Sequence, residues 1–212
     1  MDYVALFARG SLTDFSNLLA NALASNTQSV VQAVQTWDPD KLPNTPDEDV
    51  IERLVKQGSV RCPQLLTDQA EQLDPTEADK TVIEFGERVT RRVTRLILAV
   101  PYEGEREVFL LRADTSSTNN PRVLRLTDKE LHLAVDDPPG DAAQIKAMFE
   151  AQIAHIEQYL GWSRQQIDRH NQQIQEQVPR LLAQRREQLR ATRDLQGDIG
   201  YPVRGRPDRQ GR

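Results

Sequence analysis

The chain has 212 residues, 38% of them hydrophobic, a net charge of −5 and one cysteine. That length holds one domain of ordinary size with an extension; no apolar run approaches the roughly 18 residues of a membrane span, and the opening MDYVALFARG lacks a signal-peptide hydrophobic stretch. A lone Cys62 excludes an internal disulfide and suits a cytoplasmic protein, and one cysteine with three scattered histidines argues against a zinc centre, so no cofactor is expected.

Charge is distributed unevenly. Residues 1–80 hold thirteen acidic and six basic residues, whereas Arg180 to Arg212 hold nine arginines and four acids. An acidic front and a basic tail most simply mean solvated faces; the sharper alternatives are a contact to nucleic acid or to an acidic partner.

Ser11 is placed to cap a helix from Leu12 towards Trp37, with Asp14 in its first turn and Phe15, Leu18, Leu19, Ala22 and Leu23 as its apolar stripe, continued by Val30, Val31 and Val34. Thr45-Pro46-Asp47-Glu48 offers a cap, a proline at the first helical position and a glutamate to close a capping box. The helix that follows turns Val50, Ile51, Leu54 and Val55 inward and stops at Gly58.

Val60 to Leu66 reads as a short edge strand, since Pro63 has no N–H for a central ladder, and Thr67 to Lys80 as an acidic loop. Alternation from Thr94 to Tyr102 predicts a strand buried on one face and partly on the other. Glu103-Gly104-Glu105 turns it into a partner strand at Val108 to Leu111. After the polar loop Asp114 to Pro121 come Arg122 to Leu126, a turn at Thr127-Asp128-Lys129, and a strand with Leu131, Leu133 and Val135 on one side and Glu130, His132 and Ala134 on the other. The short turns predict an antiparallel meander, which ends at Asp136-Asp137-Pro138-Pro139-Gly140.

From Asp141 to about Leu195 the pattern is helical. Thirteen positions from Ile145 to Leu189 recur over forty-four residues, about 3.7 residues per step. A continuous helix of that length is roughly 80 Å long, beyond the diameter of a small domain. Such a stripe needs another helix, from this chain or a second copy, and Ile153, Ile156, Leu160, Trp162, Ile167 and Ile174 are its candidate contact residues. Pro179 lacks a donor and would clash with the carbonyl of Gln175, so a kink or break is expected between Asn171 and Pro179; a kinked continuous helix is preferred to a hairpin because no turn residues mark Gln172 to Val178.

The order of elements predicts an α+β fold: a small antiparallel sheet packed with amino-terminal helices, then a long kinked carboxy-terminal helix or helical hairpin. The expected organisation is an α+β head at 1–140, with helices 12–37 and 46–57 and strands at about 81–135, a helical segment at 141–195 and a basic tail at 196–212.

Candidate chemistry is sparse. Glu130 and His132 share a strand face and could form an acid/base pair, though an exposed polar face accounts for them more simply. His155 and His170 are fifteen residues apart on the helix and do not meet. Asp114, Ser116 and Ser117 lack a Gly-x-Ser-x-Gly elbow, and isolated Gly86 and Gly104 make no phosphate loop. Tyr159, Trp162 and Arg164 are better placed as helix-contact anchors than as a nucleobase platform. Arg180, Arg185, Arg186, Arg190 and Arg193 are the candidate phosphate contacts.

Val100-Pro101-Tyr102-Glu103-Gly104, Phe109, Thr115-Ser116-Ser117 and Pro121, followed by Trp162, Asn171, Arg185-Arg186, Leu189, Leu195 and Ile199-Gly200-Tyr201-Pro202-Val203-Arg204, resemble a family of poorly characterised bacterial proteins. Their pattern is a VP(F/Y)xG hairpin, a PST-like loop ending in proline, and a long helical segment ending LGxPxRRR. The resemblance covers about residues 81–206 and departs from the pattern at Ala113-Asp114. It implies a stand-alone or effector-associated segment of bacterial conflict systems, beside Toll/interleukin-receptor-like or restriction-nuclease-like domains, and carries no catalytic residues with it. The function expected is therefore a non-enzymatic scaffold, self-associating through the long helix or docking on a protein effector as an accessory of an anti-phage defence system. A nucleic-acid-binding module using the arginine-rich end is the alternative.

Overall fold

In the computed structural model, residues 3–7, 18–84, 87–117 and 119–201 are described. Among these residues three α-helices and seven strands follow in the order β1 (Val4–Ala5), α1 (Leu19–Thr36), α2 (Asp47–Gly58), β2 (Gln64–Leu65), β3 (Glu71–Glu84), β4 (Glu87–Glu103), β5 (Arg122–Val123), β6 (Arg125–Leu126), β7 (Glu130–Asp136) and α3 (Ala142–Ile199). The fold is α+β, as the order of elements predicts. No helix among the described residues is long and apolar enough to cross a membrane.

The sheet is antiparallel and centred on β4, which pairs with β7 on one side and with β2 and β3 on the other, while β6 pairs with β7. Two local expectations fail here. The acidic segment Thr67 to Lys80 is mostly strand: β3 begins at Glu71 and pairs with β4 from Glu71↔Ala99 to Glu84↔Glu87. Glu71, Asp74, Thr76, Glu77, Asp79 and Thr81 stand out to solvent, and the ladder to β4 overrides a composition that reads as loop. Val108 to Leu111 falls mostly in a short 3-10 helix, Arg106–Leu110, because Gly104 turns the chain at φ 105° so close to Cys62 and Pro63 that a Cβ would lie 2.8 Å from backbone atoms. That turn sends Val108 and Phe109 into the interior instead of along a strand.

The described residues within 1–25 and 60–170 form one compact unit, those within 26–59 and 171–201 a second. The division therefore falls inside α1 and inside α3, not at residue 140 as the head-and-helix organisation supposes. In the first unit, Leu131, Leu133 and Val135 alternate onto the face where Phe109, Phe149, Ile156 and Leu160 also bury. The sheet's apolar face is thus covered by the first half of α3, whose first turns the order of elements expects there beside the amino-terminal helices. Only Leu19 and Leu23 of α1 enter this unit's interior, beside Val60, Val108, Ala113 and Ile167.

The second unit is built from helices. Val30 and Val34 of α1, Val50 and Leu54 of α2, and Ile174, Val178 and Leu182 of α3 bury together with Leu42. Helix α2 starts one residue later than a Thr45 cap requires: Pro46 occupies the cap position with no side-chain bond, and the Thr45 hydroxyl donates to the Lys41 carbonyl at 2.9 Å. Asp47, Glu48 and Asp49 still place negative charge at its positive end. At the other end Gly58 serves packing, since a Cβ there would lie 2.7 Å from Val30 Cγ2 and 3.1 Å from Ile174 Cγ2. The Ser11 cap and the helix start at Leu12 lie outside the described residues.

Helix α3 contains Pro179 without a break, so the hairpin alternative is not found. Interior proline costs about 3 kcal/mol, but Ile174, Val178 and Leu182 are each at most 1% exposed. Full burial of each stabilises by roughly 1.5–3 kcal/mol, so packing on both sides of the proline outweighs the lost hydrogen bond. The Asp141 carboxylate accepts from the Ala143 N–H at 3.0 Å and closes the helix start, as its charge and position suggest.

Candidate functional site

The apolar stripe of α3 is occupied from within the chain. Ile156, Leu160, Ile167 and Ile174, read as partner contacts, are each at most 1% exposed. Trp162 is half-buried, 4.7 Å from the Tyr159 ring, and half-buried Ile153 packs on the sheet cluster. Ile156, Leu160, Ile167 and Ile174 are thus part of the protein's own interior. Cover is thinner at both ends of the stripe: Ile145 and Ile153 are half-buried, and in the last turns Leu195 is 62% and Ile199 64% exposed.

The arginines divide in the same way. Arg186 donates to the Thr45 carbonyl and pairs with Asp47, both at 2.6 Å, and Arg193 donates to the Pro39 carbonyl at 3.0 Å. Arg185 donates to the Gln188 side chain at 3.1 Å. The acidic front of the chain is therefore the partner of part of its basic end, within the second unit. Arg180 and Arg190 are exposed.

Among residues with chemical potential, His132 Nε2 lies 2.6 Å from Glu130 Oε1, so the pair read from one strand face is formed. The Tyr159 hydroxyl meets the carbonyls of Ser117 and Asn119 at 3.1 and 2.9 Å. The Cys62 thiol is pushed up to about 11 by burial, which makes it a poor nucleophile. No group of three or more metal-ligating side chains occurs among the described residues.

Two features escaped the sequence reading. One is a buried ion pair: Arg95 Nε and Nη2 reach Asp136 Oδ1 and Oδ2 at 2.5 and 2.7 Å, Tyr3 donates to Asp136 Oδ2 at 3.1 Å, and the Arg95 guanidinium lies 5.3 Å from the Tyr3 ring centroid. The guanidinium holds the Asp136 carboxyl below its ordinary range, and burial raises the Tyr3 phenol. Register places Arg95 opposite Asp136 across β4 and β7, which no local pattern reveals.

The other is a groove of about 530 Å³ in the first unit. Leu96 and Leu98 of β4 lie along it, β3 and the segment before it contribute Ala70, Leu73 and Pro75, and α3 contributes Ile145, Phe149 and Ile153. Leu73 is 37% exposed, while Leu96, Leu98, Ile145 and Ile153 are half-buried. Lys146 and Glu150, paired at 3.7 Å, stand at its α3 wall. Alternation predicts Leu96 and Leu98 as inward residues; what it cannot predict is that α3 leaves them partly uncovered.

Comparison with family models, curated proteins and solved structures gave no match to this chain. The resemblance read from Val100 to Arg204 rests on those residues alone.

Proposed function

We propose that this is a non-enzymatic interaction protein whose docking site is the groove between the β3–β4 sheet edge and the first turns of α3. The observation that carries this reading is the groove's lining. Its volume falls in the range of ordinary binding clefts, yet its walls are mainly aliphatic, and the His132–Glu130 pair is not among the residues that form it. An aliphatic cleft of this kind gives affinity by desolvation and shape, and the acid, base and hydroxyl groups in its lining are limited to the Lys146–Glu150 pair and Thr67. The bacterial resemblance supplies the setting: an accessory or regulatory component that docks on a protein effector of a conflict or defence system.

The test is site-directed photocrosslinking. A photoreactive residue at Gln72, in the groove wall, should give a crosslink to one protein of defined mass in the native host. That crosslink should disappear in an Ile145→Ser variant that retains its helical signal. A crosslink pattern indifferent to Ile145→Ser overturns the reading.

The exposed Leu195 and Ile199 favour a second mode, self-association through the end of α3. It uses a much smaller surface than a seam along the whole helix would.

A further inference from the structure

We infer that the free edge of β4 near the tip of the β3–β4 hairpin pairs with the same edge of a second copy, about a two-fold axis at Val89. This interface is separate from the groove and does not rest on it. The β3–β4 ladder outruns the rest of the sheet: β7 pairs with β4 only from Arg95 to Pro101, whereas β3 follows β4 out to Glu84↔Glu87. From Thr94 outward, among the described residues, the hairpin is a ribbon of two strands, which is marginally stable in water by itself. The Thr94 carbonyl accepts from the Asp137 N–H at 2.9 Å, on the β7 side of β4. Alternation along the strand turns the N–H and C=O of Arg92, Thr90 and Arg88 to that same side, where no strand pairs with β4 among the described residues.

One face of the ribbon carries the cross-strand pairs Lys80↔Arg91, Val82↔Val89 and Glu84↔Glu87. Two of these three set like charges directly opposite each other, which destabilises a ladder. Arg91 relieves part of this by reaching diagonally to Glu84, and Lys80 meets Asp137 at 3.3 Å. Glu87 is exposed and has no ion-pair partner among the described residues.

An antiparallel second copy centred on Val89 supplies the opposite charge. In that register Val89 faces Val89 of the second copy, Glu87 faces its Arg91, and Arg88 faces its Thr90. Lys80 and Arg91 are then continued across the axis by Glu87 and Glu84 of the second copy, and Val82 and Val89 become half of a row of four valines. The backbone agrees with this register. Arg88 and Thr90, whose N–H and C=O face outward, form the hydrogen-bonded pairs, and Val89 falls at a non-hydrogen-bonded position, where opposed side chains lie closest. Other axes juxtapose like charge: at Arg88, Arg91 or Arg92 an arginine meets itself, and at Thr90 Arg88 meets Arg92. The outer edge of β3 is a worse partner for its own copy. It carries Glu71, Asp74, Glu77, Asp79 and Glu84 against a single Lys80, and Pro75, which has no N–H, falls where its register shifts.

The test uses the full chain and two local readouts. In wild type, hydrogen exchange followed by NMR should slow at the Arg88 and Thr90 amides by at least about threefold as concentration rises from about 20 µM to about 1 mM. In a Cys62→Ser background, Val89→Cys should oxidise to a disulfide-linked dimer at least about fivefold faster than Ile83→Cys, a 75% exposed position on the same ribbon that this register keeps away from its own copy. Glu87→Arg and Arg91→Glu, each added singly to Val89→Cys, should slow that reaction. The two together should restore it, because the exchanged charges again face each other across the axis, with circular dichroism unchanged throughout. Amide protection at Arg88 and Thr90 that is independent of concentration overturns the proposal, as does Val89→Cys crosslinking no faster than Ile83→Cys. Single charge changes without effect, or a double change that fails to restore the rate, overturn the register and with it the two-fold pairing. Association through Leu195 and Ile199 alone moves neither readout, and that outcome overturns it too.

Discussion

At the scale of single residues, Arg95 and Asp136 are the pair on which the most depends. Their side chains are 7% and 19% exposed, and the geometry is bidentate. Because Arg95 holds the Asp136 carboxyl below its unfolded value, its stabilisation is complete above the unfolded carboxylate range near pH 4. It is lost as pH falls through the lower, folded value. Asp136→Asn leaves a buried guanidinium without its counter-charge and should destabilise the protein by about 3 kcal/mol at pH 7. Measured by urea unfolding, the difference between wild type and variant should shrink as pH drops below about 4. A constant difference from pH 7 to pH 2.5 would show that packing, and not charge, is what Asp136 supplies.

At the scale of elements, α3 shows tertiary contacts overruling local preference. Pro179 is exposed, while Val178 beside it is fully buried, so the helix tolerates the proline for the sake of the residues around it. Pro179→Ala restores the donor to Gln175 without disturbing a buried contact and should raise stability by about 1–3 kcal/mol in thermal or urea unfolding. A loss of stability on that substitution would mean that the proline shapes the helix for its packing on α1 and α2. In β3 the same logic works on a different element: residues that read as an acidic loop become strand because β4 offers them a partner.

At the scale of the whole molecule, the question is what the chain leaves for others to cover. Ile156, Leu160, Ile167, Ile174, Val178 and Leu182 of the α3 stripe are buried by the chain's own residues, Ile145 and Ile153 are half-buried along the groove, and the exposed remainder is Leu195, Ile199 and the adjoining Tyr201. So small an apolar end falls short of the roughly 1,000 Å² a stable interface needs. Self-association through it should be weak: light scattering should give monomer at micromolar concentration, with any dimer through this end at higher concentration lost in Leu195→Glu/Ile199→Glu. A tight dimer that survives that double substitution removes the helix end as the contact. Arg186 and Arg193, bound to Asp47, Thr45 and Pro39 in the same unit, leave the exposed arginine face narrower than the sequence suggests.

The sequence by itself determined the elements whose periodicity is strong. Leu131, Leu133 and Val135 alternate, the stripe from Ile145 to Leu189 repeats at helical spacing, and Asp141 closes the helix start; from these the α+β class follows. Each of those signals lies within one segment, where side-chain period and backbone geometry are directly linked. Tertiary structure decided the rest. Whether the stripe faced a second copy or its own chain, whether Glu71 to Lys80 paired, which arginines stayed free, and that Leu73, Leu98 and Ile145 would line one groove all depend on contacts between segments distant in sequence. Burial energy and ladder pairing between such segments exceed local propensity, and no pattern within one segment records which partner will supply them.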